Sequence, residues 1–363
     1  MDKEEQILQI IRFNPYITQQ ELADQIGLSR PAVANYIKRL IEAGRIKGRA
    51  YVLNDEQTIA CVGGANVDRK AHALQAVRLQ SSNPVKTEES LGGVARNVAE
   101  NLARLNLRPG LTTVVGQDKE GEWLRDASFK LGIDTQMMMT LSQERTGTYS
   151  AFLDPSGELV VSMADMAIYD ALTKQLIQQK WSHIKQANAI FLDTNIAADA
   201  LQEVIEQSAK QQLTVFVDPV SSIKAEKLPK DLIGVHTILP NQEEAETLSG
   251  VTIDQEQDYA VACQKLLDQG VQQVVLTLGA KGIYYYNQEE SGFIEALPVD
   301  VKDVTGAGDA FTSGVIYGET QQMSLSESCR FGLGCATVTL ESEQSCAEDL
   351  SVETVYNKLK ELN

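Results

Sequence analysis

Along the first fifty positions the apolar residues recur at helical spacing in separate runs. Ile7, Leu8, Ile10 and Ile11 form one run, which Pro15 ends. Thr18 is suited to cap a second helix, with Glu21 three residues later as its capping-box partner. That helix is predicted to reach Ile26, with Gly27 as the left-handed residue beyond it. Ser29 can cap a third helix that carries Arg30-Pro31 in its first turn. Val33, Ile37, Leu40 and Ile41 make its apolar stripe, with Ala32, Asn35, Tyr36, Lys38 and Arg39 largely on other faces and Gly44 as its stop. Residues 45–53 read as a short basic β-ribbon, and Asn54-Asp55-Glu56-Gln57 as a polar linker.

From Thr58 the pattern changes. Short apolar runs at Ile59-Ala-Cys-Val, Ala189-Ile-Phe-Leu, Thr214-Val-Phe-Val-Asp and Gln273-Val-Val-Leu-Thr-Leu-Gly read as buried strands. Between them, helices are predicted over 92–105, 120–131, 198–211, 242–249, 256–269 and 308–321. Strands alternating with helices give a parallel α/β sheet covered on both faces. Two insertions, about 70–90 and 146–165, break the alternation and can pair into a small accessory sheet over a cleft. The expected organisation is a small domain over 1–54 and an α/β domain over 55–363.

Charge separates the same two parts. Residues 1–54 hold eight basic and six acidic side chains, so residues 55–363 carry −20 of a net −18. A basic segment on an acidic body points to two functions, with nucleic-acid binding confined to the basic part. No apolar run approaches the roughly 18 residues of a membrane span. The start Met1-Asp2-Lys3-Glu4-Glu5 lacks the layout of a signal peptide. Five cysteines without a CxxC pair argue against a disulfide scaffold or a zinc site. A cytoplasmic, reduced protein is expected.

Three glycine-rich features carry the candidate chemistry. Gly63-Gly64-Ala65-Asn66-Val67-Asp68 follows the first strand, at the end where open α/β sheets bind ligands. It is either a plain turn or a hydroxyl-binding loop offering Asn66 and Asp68. Gly92-Gly93-Val94-Ala95-Arg96-Asn97 opens a helix without being a Walker A loop or a dinucleotide fingerprint. Asp303-Val304-Thr305-Gly306-Ala307-Gly308-Asp309 runs small residues into a helix N-terminus, where free N–H groups and the helix dipole suit an anion. Asp309 either accepts a proton from an attacking hydroxyl there or only caps the helix.

The N-terminal string Thr18-Gln-Gln-Glu-Leu-Ala-Asp-Gln-Ile-Gly-Leu-Ser29 with Arg30-Pro-Ala-Val-Ala resembles a winged helix-turn-helix domain. That resemblance implies DNA binding, with Arg30, Asn35 and Tyr36 as contact candidates and Arg45, Lys47 and Arg49 of the wing on phosphates. The alternative is a docking or dimerisation module. The Gly92–Asn97 and Asp303–Gly314 motifs together resemble the two signatures of the ribokinase/phosphofructokinase-B family. The resemblance implies a ribokinase-like three-layer α/β/α sandwich with a small β lid, and ATP- and magnesium-dependent phosphorylation of a primary hydroxyl. It implies Asp309 as catalytic base and Gly306, Ala307 and Gly308 as the anion hole. Asn66, Asp68, Gly92, Gly93 and Asn97 would hold the sugar. Asn241 and Glu244 would lie near magnesium and the phosphates, and Thr277, Gly279 and Gly282 along the nucleotide. Asp303 and the Thr305 backbone fall where some members bind potassium.

Further strings resemble the pseudouridine-phosphorylating branch, among them Gln80-Ser-Ser-Asn-Pro-Val85, Asp193-Thr-Asn-Ile196 and Val217-Asp-Pro-Val-Ser-Ser222. That branch places Lys224 on the substrate, which is otherwise read as a solvated loop lysine. Three functions stay open: an enzyme regulated through a DNA-binding arm, an enzyme with a structural arm, and a ligand-sensing repressor on a kinase fold. DNA binding implies a homodimer, because paired half-sites need two recognition helices.

Overall fold

The computed structural model describes residues 3–13, 17–47 and 57–361. The chain divides into two compact units, 1–57 and 58–363. The first holds α1 (Lys3–Phe13), α2 (Gln19–Ile26) and α3 (Arg30–Glu42). Thr18 and Glu21 form the reciprocal capping box, and Gly27 closes α2 at φ 68°. Ser29 accepts from the Ala32 N–H and starts α3. Ile7, Leu8, Ile11, Leu22, Val33, Ile37 and Leu40 make one shared core. Ile41 departs from the expected stripe and is exposed. The turn that buries Ile37 and Leu40 rotates position 41 outward, since successive helical residues diverge by about 100°. The helix ends at Glu42, ahead of Gly44. Most of the expected wing, Arg49 included, lies outside the described residues.

In the second unit the chain order is β1 (Thr58–Val62), β2 (Asn66–Ala73), β3 (Val85–Gly92), α4 (Val94–Arg104), β4 (Arg108–Gly116), α5 (Lys119–Lys130), β5 (Met138–Leu141), β6 (Thr148–Leu153) and β7 (Leu159–Asp165). It continues with α6 (Lys174–Ile184), β8 (Ala189–Asp193), α7 (Ala198–Gln211), β9 (Thr214–Asp218), α8 (Ser222–Ala225), β10 (Thr237–Ile238), α9 (Gln242–Ser249) and α10 (Glu256–Asp268). It closes with β11 (Gln273–Thr277), β12 (Gly282–Asn287), β13 (Ser291–Glu295), α11 (Ala307–Thr320), α12 (Leu325–Leu340) and α13 (Val352–Glu361).

Nine strands form the main sheet in the order β13-β12-β11-β10-β9-β8-β1-β4-β5. Strands β5 through β11 in that order pair in parallel, whereas β12 and β13 add an antiparallel edge. Strand direction leaves no mark on apolar periodicity, so a run such as Gly-Ile-Tyr-Tyr-Tyr gives no warning of the reversal. Alternate residues feed opposite cores, as the two-residue period requires. Ala60, Val62, Ile190 and Leu192 meet α6, α7 and α10 on one face. Ile59, Cys61 and Phe191 meet α4, α11 and α12 on the other. The result is three layers.

A second sheet, ordered β3-β2-β6-β7, draws on both insertions. It begins earlier than the pattern suggested, because β2 starts at Asn66 and pairs with β3 through Gly92. Among the described residues, no helix is long and apolar enough to cross a membrane.

Helices α11 and α12 approach closely through glycine. A Cβ on Gly314 would lie 2.6 Å from the Gly332 Cα, and one on Gly332 would lie 2.8 Å from the Phe311 carbonyl oxygen. The contact fixes α11, and with it the motif at its N-terminus. Gly314→Val should therefore overpack the pair and cost about 1–3 kcal/mol of stability, read from urea unfolding of the full chain.

Candidate active site

The carboxyl ends of the parallel strands deliver most of the candidate residues to one side of the sheet, where open α/β sheets gather ligands. Strand β8 ends on Asp193, which is fully buried. Its Oδ2 accepts from the Gly64 and Ala95 N–H groups, each at 2.9 Å, and its Oδ1 accepts from the Asn195 N–H at 2.9 Å. One carboxylate thus ties the turn after β1, the start of α4 and its own loop. Gly63, at φ 156°, gives it room: a Cβ there would stand 2.2 Å from the Asp193 Cγ. No role was expected of Asp193. Its signal was a carboxylate ending a fully apolar strand run, in a string already noted for its resemblance.

Asn66 and Asp68 lie on β2, where the Asn66 Nδ2 donates to the Asp68 Oδ1 at 2.5 Å. The 63–68 segment is thus a turn that leads into a strand. Gly92 faces this pair across β3, and a Cβ on it would come within 2.2 Å of the Asp68 Oδ2. Gly93, at φ 97°, precedes α4 and packs on the Ala65 backbone. One turn into α4, the Asn97 Nδ2 donates to the Asp309 Oδ2 at 2.8 Å. The Asn97 Oδ1 is buried without a partner. Burial raises the Asp68 carboxyl above its ordinary range, against Asn66, Lys70 and Arg96, which favour its charge.

Helix α11 begins with Gly306 in the left-handed region at φ 79°. A Cβ there would fall 1.9 Å from the Ser345 carbonyl oxygen, so the position requires glycine. The first helical bond runs from the Ala310 N–H to the Gly306 carbonyl. Ahead of it the Ala307 N–H makes a long bond of 3.4 Å to the Val304 carbonyl, the other N–H groups of this turn have no intrahelical acceptor, and a Cβ on Gly308 would meet nothing within 4 Å. This donor set at the end of a 14-residue helix suits an anion such as a phosphoryl group. Asp309 is not the cap, a place Gly306 holds. Its side chain reaches across to Asn97 instead. Burial, aided by the Asp193 and Asp68 charges and opposed by Asn97, lifts its carboxyl to about 7.

Around this centre, Lys224 is half-buried, and its Nζ donates to the Asn195 Oδ1 at 2.6 Å, which links it to the Asp193 loop. Asp218 ends β9 and is held well above the usual carboxylate range by burial, with the Asp309 and Glu244 charges adding to the effect. It too had gone unassigned. Asn241 and Glu244 form a capping box on α9, with the Asn241 Nδ2 donating to the Glu244 Oε1 at 2.7 Å. Thr277 ends β11 and bridges Asn241 in parallel. The strand stops there rather than at Gly279, which takes φ 60° with open space around it. Gly282 starts β12 at φ 120°, and a Cβ on it would press within 2.0 Å of the Ile294 carbonyl oxygen. Asp303 accepts on Oδ1 from the Thr305 N–H and hydroxyl at 2.8 and 2.7 Å, and on Oδ2 from the Lys70 Nζ at 3.0 Å.

The N-terminal unit has its own candidate surface. Arg30 and Asn35 are exposed on α3. Tyr36 packs partly on the core, with the Arg39 guanidinium 4.6 Å from its ring centre. Arg39 and Arg45 pair with Glu4 and Glu5 of α1 at 3.2 and 3.8 Å. Burial lowers the Lys47 pKa.

The Asp309 carboxyl should titrate near 7 in carbon-detected NMR of the full chain. Asp193→Asn removes a negative charge that opposes its ionisation, so the midpoint should fall. An unmoved midpoint would show that the Asp193 charge does not contribute to it.

Comparison with known proteins fits this geometry. The model of the pfkB family carbohydrate kinases matches residues 56–351. A winged helix-turn-helix DNA-binding model matches residues 2–47. The pseudouridine kinase of Escherichia coli K12 is 34% identical over 306 residues, covering 84% of this chain and 97% of its own. A second protein of that organism, named Uncharacterized sugar kinase YeiI, is 33% identical over 342 residues and covers 94% of each chain. Among solved structures, a carbohydrate kinase from Agrobacterium tumefaciens superposes with a TM-score of 0.76 at 28% identity, covering 84% of this chain and 97% of its own. Arabidopsis thaliana ribokinase complexed with ribose and ATP gives 0.76 at 21% identity, covering 84% of this chain and 99% of its own, which speaks for the fold. The chain belongs to the pfkB family of carbohydrate kinases, is a phosphotransferase with a hydroxyl acceptor, and carries an N-terminal winged helix-turn-helix domain.

Proposed function

We propose that the larger unit transfers the γ-phosphoryl group of ATP to the 5′-hydroxyl of pseudouridine, and that the N-terminal unit binds DNA and couples the enzyme to expression of its own pathway. The observation that carries the kinase reading is the first turn of α11. There a carboxylate poised at about 7 stands one residue beyond a row of N–H donors. A base with a pKa near the working pH combines a useful deprotonated fraction with enough basicity to accept the proton.

Asp309 takes the proton of the attacking hydroxyl, and Asn97 holds that carboxylate in place. The N–H groups of Gly306, Ala307 and Gly308 stabilise charge on the moving group. Asn66, Asp68, Gly92, Gly93, Lys224 and the unpartnered Asn97 oxygen hold the nucleoside. Asn241, Glu244, Thr277, Gly279 and Gly282 hold the nucleotide. When bound, ATP supplies the phosphoryl group, and magnesium on its phosphates neutralises their charge. Magnesium would be carried largely by the phosphates and water. The four-stranded sheet, reaching the site through Asn66 and Asp68, serves as a lid that excludes water.

Support for pseudouridine comes from the Escherichia coli pseudouridine kinase and from matching strings spread along the domain. The longer alignment with a protein named only as a sugar kinase favours a second reading, another nucleoside or sugar as acceptor. A turnover panel of pseudouridine, uridine, inosine, adenosine and ribose separates the two. Pseudouridine should have the highest kcat/KM, and Asp309→Asn should lower turnover about 100- to 10,000-fold. A preference for ribose would reassign the substrate and leave the phosphotransferase intact.

For the arm, the exposed Arg30 and Asn35 on α3 support groove contacts, with Tyr36 beside them. The body's −20 charge adds repulsion, and a homodimer would supply the two helices that paired half-sites need. ATP and DNA as joint ligands place the protein in the cytoplasm. Affinity for the upstream region of its own operon should fall steeply with salt. Replacing Arg45, Lys47 and Arg49 with alanine should flatten the log–log slope by about 2–3. An unchanged slope, or no specific binding at low salt, would favour a structural arm.

A further inference from the structure

Lys70 lies on β2, in the lid sheet, 233 positions before Asp303 in the chain, yet its ammonium donates to the Asp303 Oδ2 at 3.0 Å. Glu88, directly across the β2–β3 pair from Lys70, would be its nearest partner by register. That carboxylate is engaged by Lys86 at 2.8 Å. Lys70 therefore reaches out of the lid to the segment that leads into α11.

An ion pair of this exposure, 37% for Lys70 and 25% for Asp303, adds little to stability. Its effect is positional. With Oδ2 held by the ammonium, Oδ1 is aimed at the Thr305 N–H and hydroxyl. Thr305 immediately precedes Gly306, whose left-handed backbone turns the chain into the anion-binding N-terminus. The order of cause runs from Lys70 through Asp303 and Thr305 to the N–H donors of Ala307 and Gly308. The Asp303 carboxyl is accordingly held below its ordinary range: burial opposes its ionisation, but the Thr305 bonds and Lys70 outweigh that.

The potassium ion implied by family resemblance at Asp303 and the Thr305 backbone does not fit while Lys70 stands on Asp303. The Thr305 N–H and hydroxyl both donate to the Asp303 Oδ1, so an ion there would have to share this one carboxylate. Both Asp303 oxygens already accept bonds, one of them from a full positive charge. A second cation on the same carboxylate would be repelled at close range.

We infer that the Lys70 ammonium is a tethered monovalent cation, fixing the loop before the anion-binding turn as a free potassium ion otherwise would, so that phosphoryl transfer by this chain does not require added potassium. Lys70 acts through Asp303 and is a positioning residue. The inference rests on the phosphotransferase activity and not on which nucleoside is the acceptor.

The test compares the full chain in choline chloride and in KCl, each at about 0.1 M so that screening is equal. Turnover is measured on whichever acceptor the panel finds active, alongside thermal melting of the protein alone. The wild-type rate should change less than about two-fold between the salts. Lys70→Met should lose about 10- to 100-fold in choline, the scale of a misplaced catalytic turn, and regain most of it in KCl. Lys70→Arg should stay active and indifferent to potassium. In melting, which needs no acceptor, the wild type should give one Tm in both salts. Lys70→Met should melt higher in KCl than in choline, because an ion that binds only the folded state stabilises it. Strong potassium activation or a potassium-specific Tm shift of the wild type overturns the inference. So does a Lys70→Met enzyme that is equally impaired in both salts, or as active as wild type without potassium. If no acceptor in the panel turns over, the substrate assignment fails and melting alone decides this inference.

Discussion

The buried Asp193 carboxylate is the constraint on which the site depends. A charge removed from water is tolerated only where donors replace the lost hydration. Here those donors are backbone N–H groups from three separate stretches of chain. Satisfying Asp193 therefore requires the turn after β1, the start of α4 and the loop after β8 to meet at one point. Once they meet, Gly63 must lack a side chain, Asn97 projects toward α11, and the nearby Asp309 feels a negative charge that opposes its own ionisation. Local packing and the raised pKa of Asp309 are thus two consequences of one electrostatic arrangement.

A second constraint comes from close backbone approach. Gly306 against Ser345 and Gly314 against Gly332 seat α11 from its start to its middle. Both contacts hold the helix, and with it the N–H groups at its start. An anion site made of backbone donors works only if those donors are already aimed. Gly308 is the exception in this stretch, with open space where its side chain would be.

Electrostatics also divides the protein's labour. Acidic side chains gather at the ends of β8 and β9 and near the start of β2; burial pushes each of their carboxyls upward, and at Asp218 the Asp309 and Glu244 charges add to it, which disfavours contact with a polyanion. The N-terminal unit carries the basic surplus, with Arg39 and Arg45 steadied by Glu4 and Glu5. The sequence segregates the basic and acidic charge at the linker.

The sequence by itself determined the features that arise within a few residues. The Thr18–Glu21 box, the Ser29 cap, the Gly27 stop and the alternation of strands and helices each rest on contacts three or four positions apart or on a fixed period. Two of the glycine-rich motifs were legible as helix starts because glycine before a helix is likewise a local signal. Strand direction at β12 and β13, the outward turn of Ile41 and the roles open to Asp193 and Asp218 were not legible, because each depends on which distant segment lies opposite. Only the tertiary structure decided that Asp309 faces Asn97 and does not cap its own helix, and that Lys70 stands on Asp303. The reason is physical: a side chain's charge and orientation are set by what surrounds it, and those surroundings are assembled from residues more than two hundred positions away in the chain.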